Sequence, residues 1–216
     1  MKAYLFDLDG TLVASEVLKG RALAQACLSY GAEANHLTYA EVMGEDWPTV
    51  TGHFFETYGL SPVFSEFNDR FRRFYLDLIE AEIAVTRGAE EFINDTRHRG
   101  IEVGVVSSAA SWMVEKVLTK LALRNSFDLV ITQEDVVHHK PDPEAYLLAL
   151  ERLELSAKDV LVFEDSSAGL KAAKAAGCSC IAVRHGFNAK HDFSGALREI
   201  QAFTDLLGAA ANDWCS

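Results

Sequence analysis

Five short apolar runs, separated by helical patterns, constrain the fold more than any other feature of this sequence. They cover residues 3–6, 102–106, 129–131, 160–163 and 180–183. Each is rich in strand-forming residues and lacks the polar alternation of a strand with one wet face. Such runs read as strands buried on both sides. Helical patterns at 89–99, 112–120, 143–153 and 168–176 fill the spaces between them. Strand and helix in alternation predict an α/β protein, a Rossmann-like parallel sheet covered on both faces. Gly100 and Gly177 stand where two of these helices must stop, and glycine is the usual residue just past a helix C-terminus.

One stretch departs from the alternation. From 14 to 86 there is no strand pattern, only helical ones. Ser15 is placed to cap a helix running to Tyr30, with Gly31 closing it. Pro62 suits the start of a long helix carrying Phe64, Phe67, Phe71, Phe74, Leu78 and Ile79 at three-to-four spacing. That aromatic stripe reads as the insert's own core. The expected division is therefore a Rossmann-like core over 1–13 and 87–216 and a small all-helical cap over 14–86.

Composition removes several alternatives. A chain of 216 residues with 49% apolar content can bury a sizeable core, which excludes disorder as its main state. A net charge of −12 opposes binding to nucleic acid and to anionic membrane, and about half of the excess lies in the insert. No apolar run reaches the roughly 18 residues of a membrane span, and Asp7 ends the first apolar run too early for a signal peptide. Cys27, Cys178, Cys180 and Cys215 are too scattered for a disulfide framework. Cys178 and Cys180 lack the second ligand pair that zinc spacing requires. Reduced thiols in a cytoplasmic protein are expected, with no obligate protein partner evident.

Four places carry residues suited to chemistry. Asp7-Leu8-Asp9-Gly10-Thr11 follows the first strand, at the edge where open parallel sheets bind ligands. Two acids so close repel unless a cation or a shared proton intervenes. A solvated turn would use the same residues. Ser107-Ser108 ends the second strand before a helix, where hydroxyls suit either a phosphate or an ordinary cap. Lys140 sits in Lys140-Pro141-Asp142-Pro143, where two prolines restrict the loop. Its ammonium could balance phosphate and carboxylate charge or lie at the surface. Glu164-Asp165 ends the fourth strand and offers hard oxygen ligands of the kind Mg²⁺ prefers, or simply acids at a helix N-terminus.

Together, Phe6-Asp7-Leu8-Asp9-Gly10-Thr11, Val106-Ser107-Ser108, Lys140-Pro141-Asp142-Pro143 and Phe163-Glu164-Asp165-Ser166-Ser167-Ala168-Gly169 resemble the haloacid dehalogenase-like hydrolase superfamily. The closest likeness is to its β-phosphoglucomutase-like and sugar-phosphate phosphatase members. The resemblance implies Asp7 as nucleophile, Asp9 as acid and base, and Ser107, with Ser108, as phosphoryl ligand. It implies Lys140 as the charge that steadies Asp7 and the transferring group. It also implies Mg²⁺ held by Asp7, Asp9 through its main-chain carbonyl, Glu164 and Asp165. The insert resembles the small helical cap, whose closure would exclude bulk water. Trp47 stands where the mutase carries a phosphate-clamping arginine, and Lys19 where it carries a histidine. Lys19 is thereby a candidate for substrate binding. The expected activity is a Mg²⁺-dependent phosphatase acting on a small phosphorylated metabolite such as a sugar phosphate. Phosphoryl transfer between hexose phosphates is the alternative, and a non-catalytic metabolite-binding protein a lesser one.

Overall fold

The computed structural model describes residues 1–208. Cys215 lies outside them. By proximity the chain divides into two compact units. Among the described residues, one comprises Met1–Val13, Ala84–His185 and 191–208. The other comprises Ala14–Ile83 together with Gly186–Lys190.

In the first unit, β1 (Ala3–Phe6), β2 (Glu102–Val106), β3 (Leu129–Ile131), β4 (Val160–Glu164), β5 (Ser179–Val183) and β6 (Arg198–Ile200) form one sheet in the order β3-β2-β1-β4-β5-β6. All neighbouring pairs are parallel. β6 is not among the five apolar runs. It has three residues, and Arg198 and Glu199 are exposed on it, so apolar continuity does not mark it. Successive residues of β1 face opposite ways, as the period of a strand requires. Tyr4 and Phe6 join Phe92, Phe163 and Phe203 in an aromatic layer, in which Phe6 stacks on Phe163 at 4.8 Å. Ala3 and Leu5 point into a core with Tyr146, Ala149, Val162, Ala172 and Ala173. Helix α4 (Ala89–His98) brings Phe92 to the first layer, while α6 (Glu144–Arg152) and α7 (Ser167–Ala175) cover the second. The chain winds from β1 outward to β3 and then returns to β1's other side with β4. The β1–β4 boundary is thus where the winding direction reverses, the usual place for a ligand crevice at the strand C-termini.

The second unit contains α1 (Glu16–Leu28), α2 (Trp47–Tyr58) and α3 (Phe64–Glu82). Its core holds Phe54, Phe67, Phe71 and Tyr75. Phe64, expected in that core, is exposed, because it sits in the first turn of α3. Ser15 does not cap α1 with its side chain, since its own backbone is already helical. The helix stops at Leu28, short of Tyr30. No helix among the described residues is long and apolar enough to cross a membrane.

Candidate active site

The sheet brings the ends of β1, β2 and β4 side by side. The Asp7 N–H donates to Phe163 O at 2.9 Å, and the Ser107 N–H donates to Ile131 O at 3.0 Å, so both residues continue their ladders one step past the strand. After Asp7 the backbone folds back on itself, with Gly10 N–H bonded to Val13 O at 2.8 Å and Gly10 at φ +76°. Asp9 is half-buried in this turn, whereas Asp7 is buried.

Lys140 lies in the loop ahead of α6, not at a strand end. Glu144 fastens that loop by accepting from the N–H groups of Val137 and His138 at 2.9 and 2.8 Å. The Lys140 ammonium is buried and reaches three acceptors: Asp7 Oδ1 at 2.7 Å, Val106 O at 2.8 Å and Glu164 Oε1 at 2.6 Å. Burial opposes its charge, but Asp7 and Glu164 outweigh that and hold its pKa above the ordinary lysine value. Asp7 moves upward too. Burial raises its pKa well above the usual carboxylate range, Lys140 pulls it back, and Glu164, Asp165 and Asp9 add to the rise.

Glu164 is a hub. Besides Lys140, its Oε1 accepts from the buried Tyr146 hydroxyl at 2.6 Å, and its Oε2 accepts from Ser166 Oγ at 3.3 Å. Ser166 in turn caps α7 by accepting from Gly169 N–H at 3.0 Å. Asp165, 3% exposed, is bonded through Oδ2 to His185 Nε2 at 2.8 Å. Oxygens of Asp7, Glu164 and Asp165 lie within 4.8 Å of one another. Three carboxylates against one ammonium leave two negative charges unbalanced, the charge of one divalent cation. An all-oxygen set of this kind matches the donors Mg²⁺ prefers.

The serines are less open than a phosphate cradle at a bare helix terminus. Ser107 is buried, and its Oγ accepts from Ala109 N–H at 3.1 Å, while Ser108 is exposed. Helix α5 (Ser111–Lys120) starts three residues further on. Its first N–H is already taken by Glu134 Oε2 at 2.8 Å, an acid where an anion would dock. Lys19 belongs to the second unit, where its ammonium pairs with Glu16 at 2.8 Å. Trp47 is structural there: its indole N–H donates to Asn68 Oδ1 at 2.8 Å and its ring lies 4.4 Å from that of Phe71. Arg70 donates to Ser29 O and sits over the Tyr30 ring, so its charge is engaged within that unit. The motifs singled out neither Tyr146 nor His185. Each meets its acid across a long chain separation that no local pattern encodes.

The profile of haloacid dehalogenase-like hydrolases matches residues 4–183. The chain is 31% identical to protein CbbY of Cereibacter sphaeroides, over 99% of this chain and 97% of that one. It is 32% identical to the phosphorylated carbohydrates phosphatase of Thermotoga maritima, over 87% and 88%. A crystal structure of CbbY from Rhodobacter sphaeroides in complex with xylulose-(1,5)bisphosphate superposes with a TM-score of 0.83 at 27% identity, covering 96% of each chain. With the motifs, the sheet and these relatives in agreement, the chain belongs to the haloacid dehalogenase-like hydrolases and is a phosphatase of that family.

Proposed function

We propose that this phosphatase hydrolyses a small phosphorylated metabolite, a sugar phosphate, through an aspartyl-phosphate formed on Asp7. The observation that carries the reading is the Lys140 ammonium bonded at once to Asp7 and Glu164, beside three carboxylates within 4.8 Å. The Asp7 carboxylate attacks phosphorus, the ester P–O bond breaks, and Asp9 gives its proton to the departing sugar oxygen. Asp9, now a carboxylate, takes a proton from the water that attacks the aspartyl-phosphate. Inorganic phosphate leaves and Asp7 is restored. Lys140 favours the ionised form of Asp7 and aims its carboxylate, and Ser107 and Ser108 bind phosphoryl oxygens. Asp7, Glu164, Asp165 and the main-chain carbonyl of Asp9 would hold Mg²⁺, which when bound supplies positive charge to the transferring group. Lys19, whose ammonium pairs with Glu16 at 2.8 Å, is the candidate of the helical insert for substrate binding. The substrate class is supported by the relatives named for phosphorylated carbohydrates and by the sugar bisphosphate held by CbbY.

The test is phosphate release from a panel of sugar phosphates with Mg²⁺, for the wild type and Asp7→Asn. Turnover that is lost in the variant is expected, and a variant as active as wild type would remove Asp7 as nucleophile. A parallel incubation with β-glucose 1-phosphate and glucose 1,6-bisphosphate addresses the mutase alternative. Glucose 6-phosphate formed stoichiometrically without free phosphate would overturn hydrolysis.

A further inference from the structure

His185 follows β5 by two residues, and its Nε2 lies 2.8 Å from Oδ2 of the buried Asp165. We propose that His185 is a positioning residue that fixes the Asp165 carboxylate for the divalent cation; the inference rests on the metal reading above. A carboxylate accepts, so the Nε2 of His185 carries the proton in this bond. An aspartate alone on a strand end can turn about two side-chain bonds, and one oxygen tied at 2.8 Å removes much of that freedom. Partners behind a ligating group commonly set its orientation and the affinity of the site.

Two further observations support the assignment. The Asp165–His185 pair lies close to Gly10 in the nucleophile turn. A Cβ at Gly10 would meet Asp165 Oδ2, would stand 2.8 Å from Asp165 Cγ and would stand 2.9 Å from His185 Nε2. Gly10 therefore leaves the space in which the pair sits, and its φ of +76° suits glycine in any case. The chain around His185 is also anchored on both sides. Before it, the Arg184 N–H donates to Ile200 O at 2.7 Å and Arg184 Nε donates to Glu199 at 2.6 Å. After it, Gly186–Lys190 clusters with the second unit. On return, His191 Nδ1 accepts from Ser167 N–H at 3.2 Å and Asp192 O accepts from Ser167 Oγ at 3.2 Å. The two ends of this loop thus close on Asp165 and Ser167, the turn that carries the acid.

The test is Mg²⁺ binding to the full chain by titration calorimetry, for wild type, His185→Ala, His185→Gln and His185→Asn. The amide nitrogen of glutamine reaches about as far as Nε2, whereas that of asparagine stops short. Expected are Kd values raised about 10- to 100-fold in the alanine and asparagine variants, and within about threefold of wild type in the glutamine variant. Wild-type affinity in His185→Asn or His185→Ala overturns the proposal. So does a glutamine variant as weak as asparagine, since a lost donor would then not be the cause. Absence of Mg²⁺ binding by the wild type overturns the metal reading itself.

Discussion

Gly169→Ala sets two effects of opposite sign against each other. Gly169 is the third residue of α7, and its φ is not in the left-handed region. Helix propensity alone makes alanine better there by about 1 kcal/mol. Packing says the reverse. A Cβ on Gly169 would overlap the carboxyl group of Glu164, far inside the 3.4 Å at which ordinary contact begins. The acid would have to retreat by more than about 1 Å, a shift large enough to disrupt hydrogen bonds of ordinary length. A carboxylate at the end of a flexible side chain usually yields with little penalty. This one is wholly buried and held by Lys140, Tyr146 and Ser166. Hydrogen bonds to charged groups contribute about 1.5–3 kcal/mol each. Loss of two outweighs the helical gain and leaves a net cost of about 2–5 kcal/mol. For a protein this size that lowers Tm by roughly 4–20 °C. Metal-free thermal unfolding of the two proteins measures it. A variant that melts at or above the wild-type temperature would refute the claim that Glu164 is immobile.

Tyr146→Phe removes one bond from Glu164 in a fully buried place and should cost about 1.5–3 kcal/mol, read from denaturant unfolding; an unchanged midpoint would mean that Lys140 and Ser166 suffice to satisfy the acid. Burial raises Asp7 above its unfolded value of 3.8, so the folded state keeps a proton that the unfolded chain releases. Stability of the metal-free protein should therefore fall as pH rises from 3.8 through the raised value. The Lys140 pKa is raised from 10.5, so its contribution is intact throughout that range and fades only at higher pH. Added Mg²⁺ should flatten the acidic slope, and Tm against pH in chelator and in Mg²⁺ compares the two. Trp47→Phe keeps an aromatic ring near Phe71 but loses the bond to Asn68. It should cost about 1 kcal/mol with little change in kcat, whereas a large loss of kcat would give Trp47 a role in catalysis.

The sheet is legible in the sequence because its central strands are buried on both faces. Continuous apolar runs such as 160–163 need no context to be read. The edge strand β6 is wet at Arg198 and Glu199 and carries no such mark. Asp7, Glu164 and Asp165 stand out because acids are odd neighbours for apolar strand ends, and Lys140 because two prolines closely follow it; the fold brings the four together. What charge patterning does not convey is how each acid is held. Tyr146 looks like one more apolar position of α6, yet it delivers a hydroxyl to Glu164 across 18 residues. His185 is a lone histidine 20 residues from Asp165, with no spacing to announce the bond. That the first N–H of α5 is already engaged is equally hidden, because the acid that takes it, Glu134, lies 23 residues downstream of Ser111.

The short loop after β5 also bears on how such a protein can be recombined. An insertion with one entrance and one exit could be exchanged for another by two crossovers, at 13/14 and 83/84. Here five residues from far along the chain, Gly186–Lys190, cluster with the inserted unit, and Phe187 rests 6.1 Å from Tyr39 within it. A chimera exchanged only over 14–83 would leave Phe187 facing a foreign surface. Its flanking residues, His185 and His191, would still be tied to the turn that carries Asp165. The unit of exchange is a discontinuous one, and a graft that respects it carries 186–190 along with the helices.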